Sequence, residues 1–195
     1  EEADLTGVTV VCDIESVKLN ACTIGDAQFG AKSTPVHLSD LQVAANETGE
    51  LCFVGCTITG ASFKPVHEGT KGSWGEVCFE ECPSVQGLKI EQLRMSGLKI
   101  DRCPEVIDLR ILDVDVANGK WAISSSAFAG VQMKSLEAPG GCMKDAEFRN
   151  RARFQDCHFQ GGSVQGRCTN LLNLAPDSLR KTDFNDTKFT ELPDM

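Results

Sequence analysis

A five-residue spacing of apolar side chains constrains this chain more than any other feature of its sequence. It is clearest in residues 146–165, AEFRNRARFQDCHFQGGSVQ, where a small residue stands two places before a large apolar one in each unit. The four units are Ala146/Phe148, Ala152/Phe154, Cys157/Phe159 and Gly162/Val164. A helix needs apolar spacings of three and four, and a half-buried strand needs two. The spacing therefore predicts a chain that turns a corner after each unit, with one small and one large side chain pointing inward.

The same spacing opens the chain, which makes it an internal repeat. Six consecutive units lie in residues 1–31: Ala3/Leu5, Val8/Val10, Cys12/Ile14, Val17/Leu19, Cys22/Ile24 and Ala27/Phe29. The residue between the two inward positions is polar in all six units, as expected for a position that faces solvent. The units that follow include Leu51/Phe53, Ala61/Phe63, Val77/Phe79, Pro83/Val85 and Leu88/Ile90. Self-similarity at a fixed period is the signature of a repeat architecture, so we predict a solenoid.

Several five-residue motifs carry a family resemblance. ADLTG, CTITG, ASFKP, AEFRN, ARFQD, CHFQG and TDFND resemble pentapeptide-repeat proteins, and the irregular spacing is similar to that of the β-helix domains of bacterial secreted effectors. The resemblance implies an all-β fold, a right-handed, four-sided parallel β-helix with about four pentads in each coil. Leu88, Leu93 and Leu98 depart from it, because they fill positions that the family keeps small. Leucine-rich repeats have a period of about 20–29 residues, close to one such coil, but the five-residue spacing favours the β-helix.

We expect residues 1–195 to form a single β-helix domain with two interruptions. Residues 64–76, KPVHEGTKGSWGE, cannot fill inward positions regularly and are predicted to form an inserted loop. Within it, His67 and Trp74 are candidate interaction residues, since an exposed Trp suits an interface anchor. A solvated insertion without a partner is the alternative. Residues 170–181 are predicted to be irregular or helical.

The composition limits the partners and the compartment. The net charge of −9 argues against nucleic acid or an anionic membrane surface as a partner, because both require a basic face. No apolar run approaches the length of a membrane span, so the segment is predicted to be soluble. The chain begins with Glu rather than an initiator Met and shows no signal peptide, which predicts a mature form or a fragment of a larger protein.

The ten cysteines are predicted to be free thiols rather than a disulfide framework. Cys12, Cys22, Cys56 and Cys157 occupy the small inward position, where a thiol acts as a small buried apolar group. Cys82 and Cys103 follow a large residue by three positions. Free thiols imply a reducing compartment, so we expect a cytoplasmic protein or one delivered into a host cytosol. The chain has no CxxC, no HxxxH and no Cys–His cluster at zinc spacing, so no metal or cofactor is predicted.

The sequence offers few groups for catalysis. Its three histidines are His37 and His158, in outward positions, and His67 in the predicted loop, and none lies in a nucleophile or zinc-protease motif. Asp113 and Asp115 stand two apart and suit either a calcium site or an acid/base pair, although two outward positions of a strand explain them as well. We therefore predict no catalytic residues in this segment.

Three functions are consistent with this pattern. The first is a non-enzymatic protein-interaction or scaffold module of the bacterial effector type, with a protein partner. The second is an acidic DNA mimic that binds DNA gyrase or topoisomerase, as some pentapeptide-repeat proteins do. A DNA mimic needs a continuous acidic face, whereas basic residues are scattered over the outward positions: Lys18, Lys89, Arg94, Lys99, Arg110, Arg153 and Lys188. The third is a carbohydrate-active β-helix enzyme, which would use residues that converge from different coils.

Overall fold

The protein is a parallel β-solenoid of about 7 turns. A computed structural model describes residues 6–20, 24–31, 36–67, 69–117, 119–148, 152–165, 182 and 188–190. Within these ranges every regular element is a β-strand, and all the strand pairs are parallel. The predicted all-β solenoid is thereby confirmed. The predicted helical or irregular segment at 170–181 lies outside the described residues, as does the first unit, Ala3/Leu5.

The strands are short, except where one strand continues around a corner. They are β1 (Thr9–Val10), β2 (Ile14–Glu15), β3 (Lys18–Asn20), β4 (Ala27–Phe29), β5 (Val36–Ser39), β6 (Gln42–Ala44), β7 (Glu47–Thr48), β8 (Leu51–Val54), β9 (Cys56–Thr59), β10 (Ser62–Lys64), β11 (Gly72–Glu80), β12 (Ser84–Gln86), β13 (Lys89–Asp101), β14 (Val106–Ile107), β15 (Arg110–Val116), β16 (Trp121–Ser124), β17 (Ala127–Ala129), β18 (Gln132–Glu137), β19 (Cys142–Lys144), β20 (Glu147–Phe148), β21 (Arg153–Gln155), β22 (Ser163–Gln165) and β23 (Lys188–Thr190).

Strand pairing gives each coil four sides. The first face contains β1, β4, β8, the end of β11, the end of β13, β16, β19, β22 and β23. The second face is a sheet of its own, β2, β5, β9, β12, β14, β17 and β20. The third face stacks β3, β6, β10, the beginnings of β13, β15 and β18, and β21. The fourth face stacks β7, the start of β11, the middle of β13 and the ends of β15 and β18.

The corners are built from residues in the left-handed backbone region. Eleven described non-glycine residues and ten described glycines have positive φ. Eight of the eleven are Asp or Ser, and short polar side chains tolerate this conformation better than branched ones. Stacked corners also approach closely: a methyl group at Gly60 would lie 2.7 Å from Asp40 Oδ1 of the coil before it. One left-handed residue at the end of each side therefore turns the chain, which accounts for the five-residue spacing.

The inward side chains form columns along the solenoid. Phe29, Phe53 and Phe79 stack in successive coils with ring centroids 5.0 Å apart. Further along the chain, the predicted inward units of residues 146–165 are buried as expected. Because each buried ring contacts the coil on either side of it, the columns join the coils into one core.

Two predicted inward residues are exposed instead of buried. Pro83 is exposed, and Cys82 takes the inward position before Val85. The chain makes its left-handed turn at Glu81, so the inward spacing on this side is three rather than two. Cys12 is exposed because it belongs to the first described coil, which has a described neighbour on one side only.

Candidate functional site: a braced loop beside a basic face

The chain leaves the solenoid between Lys64, the end of β10, and Gly72, the start of β11. The step from Leu51 to its partner Val77 is 26 residues, whereas the next step, from Val77 to Leu98, is 21. The additional residues lie in segment 65–71, which we call the loop and of which 65–67 and 69–71 are described. His67 lies in it and is exposed, as predicted. Residues 72–76 of the predicted loop belong to a strand.

Trp74 is not a surface anchor. It is 3% exposed, its indole N–H donates a 2.9 Å hydrogen bond to Ala45 O, and its ring lies 5.9 Å from that of Phe63. The expectation of an exposed Trp is therefore wrong. Trp74 fills an inward position of the fourth face, and the glycine at 72 lies so close to the preceding coil that its added methyl would come within 3.1 Å of Ala45 O. Gly72 suggests a loop when only the sequence is considered, but in the structure it allows the strand to pack closely against the preceding coil.

The loop is attached to the solenoid at both ends. The Val66 N–H donates a 3.2 Å hydrogen bond to Asn46 Oδ1 of the preceding coil. At the other end, Lys71 Nζ lies 2.9 Å from Asp113 Oδ1 and 2.5 Å from Asp115 Oδ1, two coils further on. Partial burial would lower the pKa of Lys71, but the hydrogen bonds and charges of Asp115 and Asp113 outweigh it and raise that pKa. The loop is therefore held in place before any partner arrives.

The same contact accounts for the aspartate pair. Asp113 and Asp115 point outward from β15, and Lys71 bridges them. Arg94 also approaches Asp115, at 3.5 Å. Among the residues that the structure describes, no three His, Cys, Asp or Glu side chains converge as a metal site requires. The pair thus serves to hold the loop in this structure.

A cleft of about 450 Å³ lies at the foot of the loop. Its walls are Lys64, Pro65 and Val66 on the loop side, and Glu91, Gln92, Leu112 and Asp113 on the two following coils. The cleft is open to solvent and lined by both charged and apolar groups. It is a place where a side chain of a partner can enter between the loop and the third face.

Unpaired basic side chains follow one another down the third face beside the cleft. One is present in each of five consecutive coils, and we call them the basic ladder: Lys64, Lys89, Arg110, Lys134 and Arg153. All five are exposed, and within the described part of the chain none has a carboxylate partner. The other outward residue of each coil on this face is Ser62, Glu91, Leu112, Gln132 or Gln155.

Several basic residues of the other faces have carboxylate partners, although Lys120 and Lys144 have none among the described residues. Arg102 lies 2.6 Å from both Glu80 and Asp101, and Lys99 lies 4.0 Å from Glu80. The basic residues expected to be scattered do lie on different faces, with Lys99 on the first and Arg94 on the fourth. On the third face, however, Lys89 and Arg110 are register partners in one row, which continues through Gln132 to Arg153. The sequence conceals this row because coils differ in length, so neighbouring rungs are not evenly spaced along the chain.

The described cysteines form no disulfide. Cys56, Cys82 and Cys103 are buried at successive corners between the first and second faces, where each thiol donates to a carbonyl of the preceding coil. Burial raises the pKa of Cys56 to about 12 and that of Cys157 to about 11. Cys56 and Cys157 are thus packing groups and weak nucleophiles. Cys22 and Cys168 lie outside the described residues.

The histidines do not form a site together. His37 and Asp13 are neighbours on the second face, where the His37 N–H donates a 2.7 Å bond to Asp13 Oδ1 and lowers the pKa of that carboxyl. His158 lies on the fourth face, 3.7 Å from Glu137 Oε1. His67 is in the loop. The three are on different parts of the surface.

Comparison with known proteins finds no family model and no curated protein that matches the sequence. The parallel solenoid is what the structure shows, and membership of the pentapeptide-repeat family stays a prediction. No helix of membrane-spanning length and hydrophobicity occurs in the described ranges.

Proposed function

We propose that this protein is a non-enzymatic interaction module, a solenoid that presents the loop, the cleft and the third face to a protein partner. The carrying observation is the loop itself, which is attached to two coils, one through Asn46 and the other through Asp113 and Asp115. A segment ordered in advance loses less conformational entropy on binding, which favours recognition of a partner.

The cleft supports the same proposal. It places the half-buried side chains of Val66 and Leu112 among the charged groups of Lys64 and Glu91. Interfaces combine an apolar centre with a polar surround in this way. A partner in a host cytosol is what the effector resemblance predicts, and the unpaired thiols of the described cysteines suit that compartment.

The acidic residues support the DNA-mimic alternative less well. Asp26, Glu50 and Glu76 follow one another at one edge of the first face, but Gly97 and Lys120 continue that column. A row of three carboxylates is short for a surface that imitates a duplex with one charge per about 1.7 Å. The interaction module is therefore the function that we propose.

Peptide display tests the proposal. A random-peptide library is selected on the wild-type protein, and the enriched peptides are measured on Val66→Ser/His67→Ser, which changes the cleft wall but keeps the Val66 backbone bond. The matched control, Ala117→Ser/Lys120→Ser, alters two exposed residues away from the loop. We expect about tenfold weaker binding to the loop variant, as for loss of one interface anchor, and little change in the control. Failure to enrich any peptide, or equal binding to both variants, would overturn the proposal.

A further inference from the structure

The basic ladder has a regular spacing that restricts its partner. Neighbouring coils are about 4.8 Å apart, as in any parallel sheet, so the four steps from Lys64 to Arg153 cover about 19 Å. Each step carries one exposed, unpaired positive charge. The charges occupy two neighbouring outward columns, with Lys89, Arg110 and Arg153 in one and Lys64 and Lys134 two residues further along the strand in the other. A partner that uses the whole ladder therefore needs one negative charge per coil at a similar repeat, within reach of both columns.

We propose that the basic ladder binds an acidic α-helix of a protein partner, laid along the solenoid axis with one Asp or Glu per turn. A helix has a pitch of about 5.4 Å, so four turns cover about 22 Å and differ from the ladder by only about 3 Å. The flexible side chains of Lys and Arg take up that difference. This inference rests on the proposed function, since it takes the partner to be a protein.

An extended acidic peptide fits the ladder less well. Its side chains on one face recur every second residue, about 6.7 Å apart, so four steps cover about 27 Å. The mismatch reaches about 8 Å, which places the last carboxylates beyond the end of the ladder. The repeat of the coils thus selects a helix over a strand.

The composition of the third face argues against nucleic acid. Its described outward residues include no aromatic side chain on which a base of a single strand could stack. Asp40 and Asp108 occupy one corner of the face and Asp113 occupies the other, so a broad duplex would place phosphates against carboxylates on both sides. A helix with an acidic stripe avoids this repulsion when its flanks carry Lys or Arg.

The net charge of −9 does not oppose binding at this face. The first and third faces lie on opposite sides of the coil, with backbones about 10 Å apart and charged side-chain ends further apart still. The Debye length at physiological ionic strength is about 8 Å, so the acidic residues of the first face are largely screened from a ligand on the third. The local charge of the face decides the interaction.

Fluorescence anisotropy with two stapled helical peptides tests the inference. Both have about 20 residues and the same composition, including five Glu; one places the Glu in a single stripe and the other distributes them around the helix. The protein variant Lys89→Gln/Arg110→Gln/Lys134→Gln removes three rungs of the ladder. The matched control Arg94→Gln/Lys120→Gln/Lys144→Gln removes the same number of lysines and arginines from other parts of the surface.

We expect the striped peptide to bind the wild type about tenfold more tightly than the distributed peptide, and the ladder variant to lose about tenfold in affinity for it while the control variant loses little. Equal affinity for the two peptides, equal loss in the two variants, or tighter ladder-dependent binding of a short DNA duplex or of heparin would overturn the inference. If display selection enriches non-acidic peptides whose binding depends on Val66 and His67, the helix inference is also overturned. The proposed function as an interaction module stands in that case.

Discussion

Replacing Phe53 by alanine tests whether the inward columns hold the solenoid together. The Phe53 ring is fully buried and stacks on Phe29 and Phe79 with centroid separations of 5.0 Å. Truncating a buried Phe costs about 3–5 kcal/mol in the free energy of unfolding, and each lost ring pair adds about 0.5–1.5 kcal/mol to the cost of area alone. Because Phe53→Ala removes three stacked pairs, including the one with Phe63 at 5.6 Å, we expect about 5 kcal/mol, the upper end of the range.

Urea unfolding followed by far-ultraviolet circular dichroism measures this loss. Thr59→Ala is the matched control, because Thr59 is an exposed residue at the end of β9 and its truncation should change stability by less than about 0.5 kcal/mol. The dependence of the unfolding free energy on urea must stay the same in all variants for the comparison to hold. Phe53→Leu keeps most of the buried volume and allows the measurement if the alanine variant does not fold. Equal losses at Phe53 and Thr59 would refute the inward register.

Three further predictions concern the thiols, the corners and the loop. In alkylation under native, non-reducing conditions, Cys12 should react first, and the buried thiols should react only after denaturation; described cysteines that stay unlabelled in denaturant would instead indicate disulfides. Gly60→Ala and Gly87→Ala both place a side chain at positive φ, at a cost of about 1–2 kcal/mol. Gly60→Ala should lower the unfolding temperature more than Gly87→Ala. The added methyl at Gly60 meets a carboxylate oxygen at 2.7 Å, whereas the atom nearest to an added methyl at Gly87 is 3.6 Å away. The reverse order would contradict the corner geometry. Lys71→Met should speed amide hydrogen exchange in the loop, and unchanged exchange would show that the ion pairs do not hold it. Because the folded pKa of Lys71 is raised, the wild-type loop should stay protected below the ordinary lysine pKa of about 10.4 and lose protection as the pH rises through the higher folded value.

The fold was predictable because its main cause is local. Each side of the coil needs its own inward residues and its own turn. A single five-residue unit such as Ala152/Phe154 therefore indicates the architecture. The failures came where the local pattern has two explanations. Gly72 indicates a loop in the sequence, whereas in the structure it brings Trp74 against the preceding coil. At Pro83 the spacing changes by one residue, and the sequence does not show which residue turns inward.

The candidate site was less predictable because it depends on register between coils. The exposed loop containing His67 follows from the break in the spacing. The basic ladder does not, since Lys89 and Arg110 are 21 residues apart in the chain and their adjacency depends on the length of the coil between them. Unequal coil lengths alter every later alignment, so the sequence predicted Lys89, Arg110 and Arg153 to be outward but identified neither Lys64 and Lys134 as members of the ladder nor the arrangement of the five.

The left-handed corners have a consequence for how such a chain can change during evolution. Along the first face, the chain passes from Val77 to its partner Leu98 in 21 residues and from Leu98 to its partner Trp121 in 23. The paired strands nevertheless stay in register. Residues added at a corner enlarge the turn and leave the paired sides as they are, as the loop after Lys64 illustrates. Each corner is thus a position where an insertion can accumulate with little effect on the rest, and new recognition surfaces can arise one at a time on an unchanged frame.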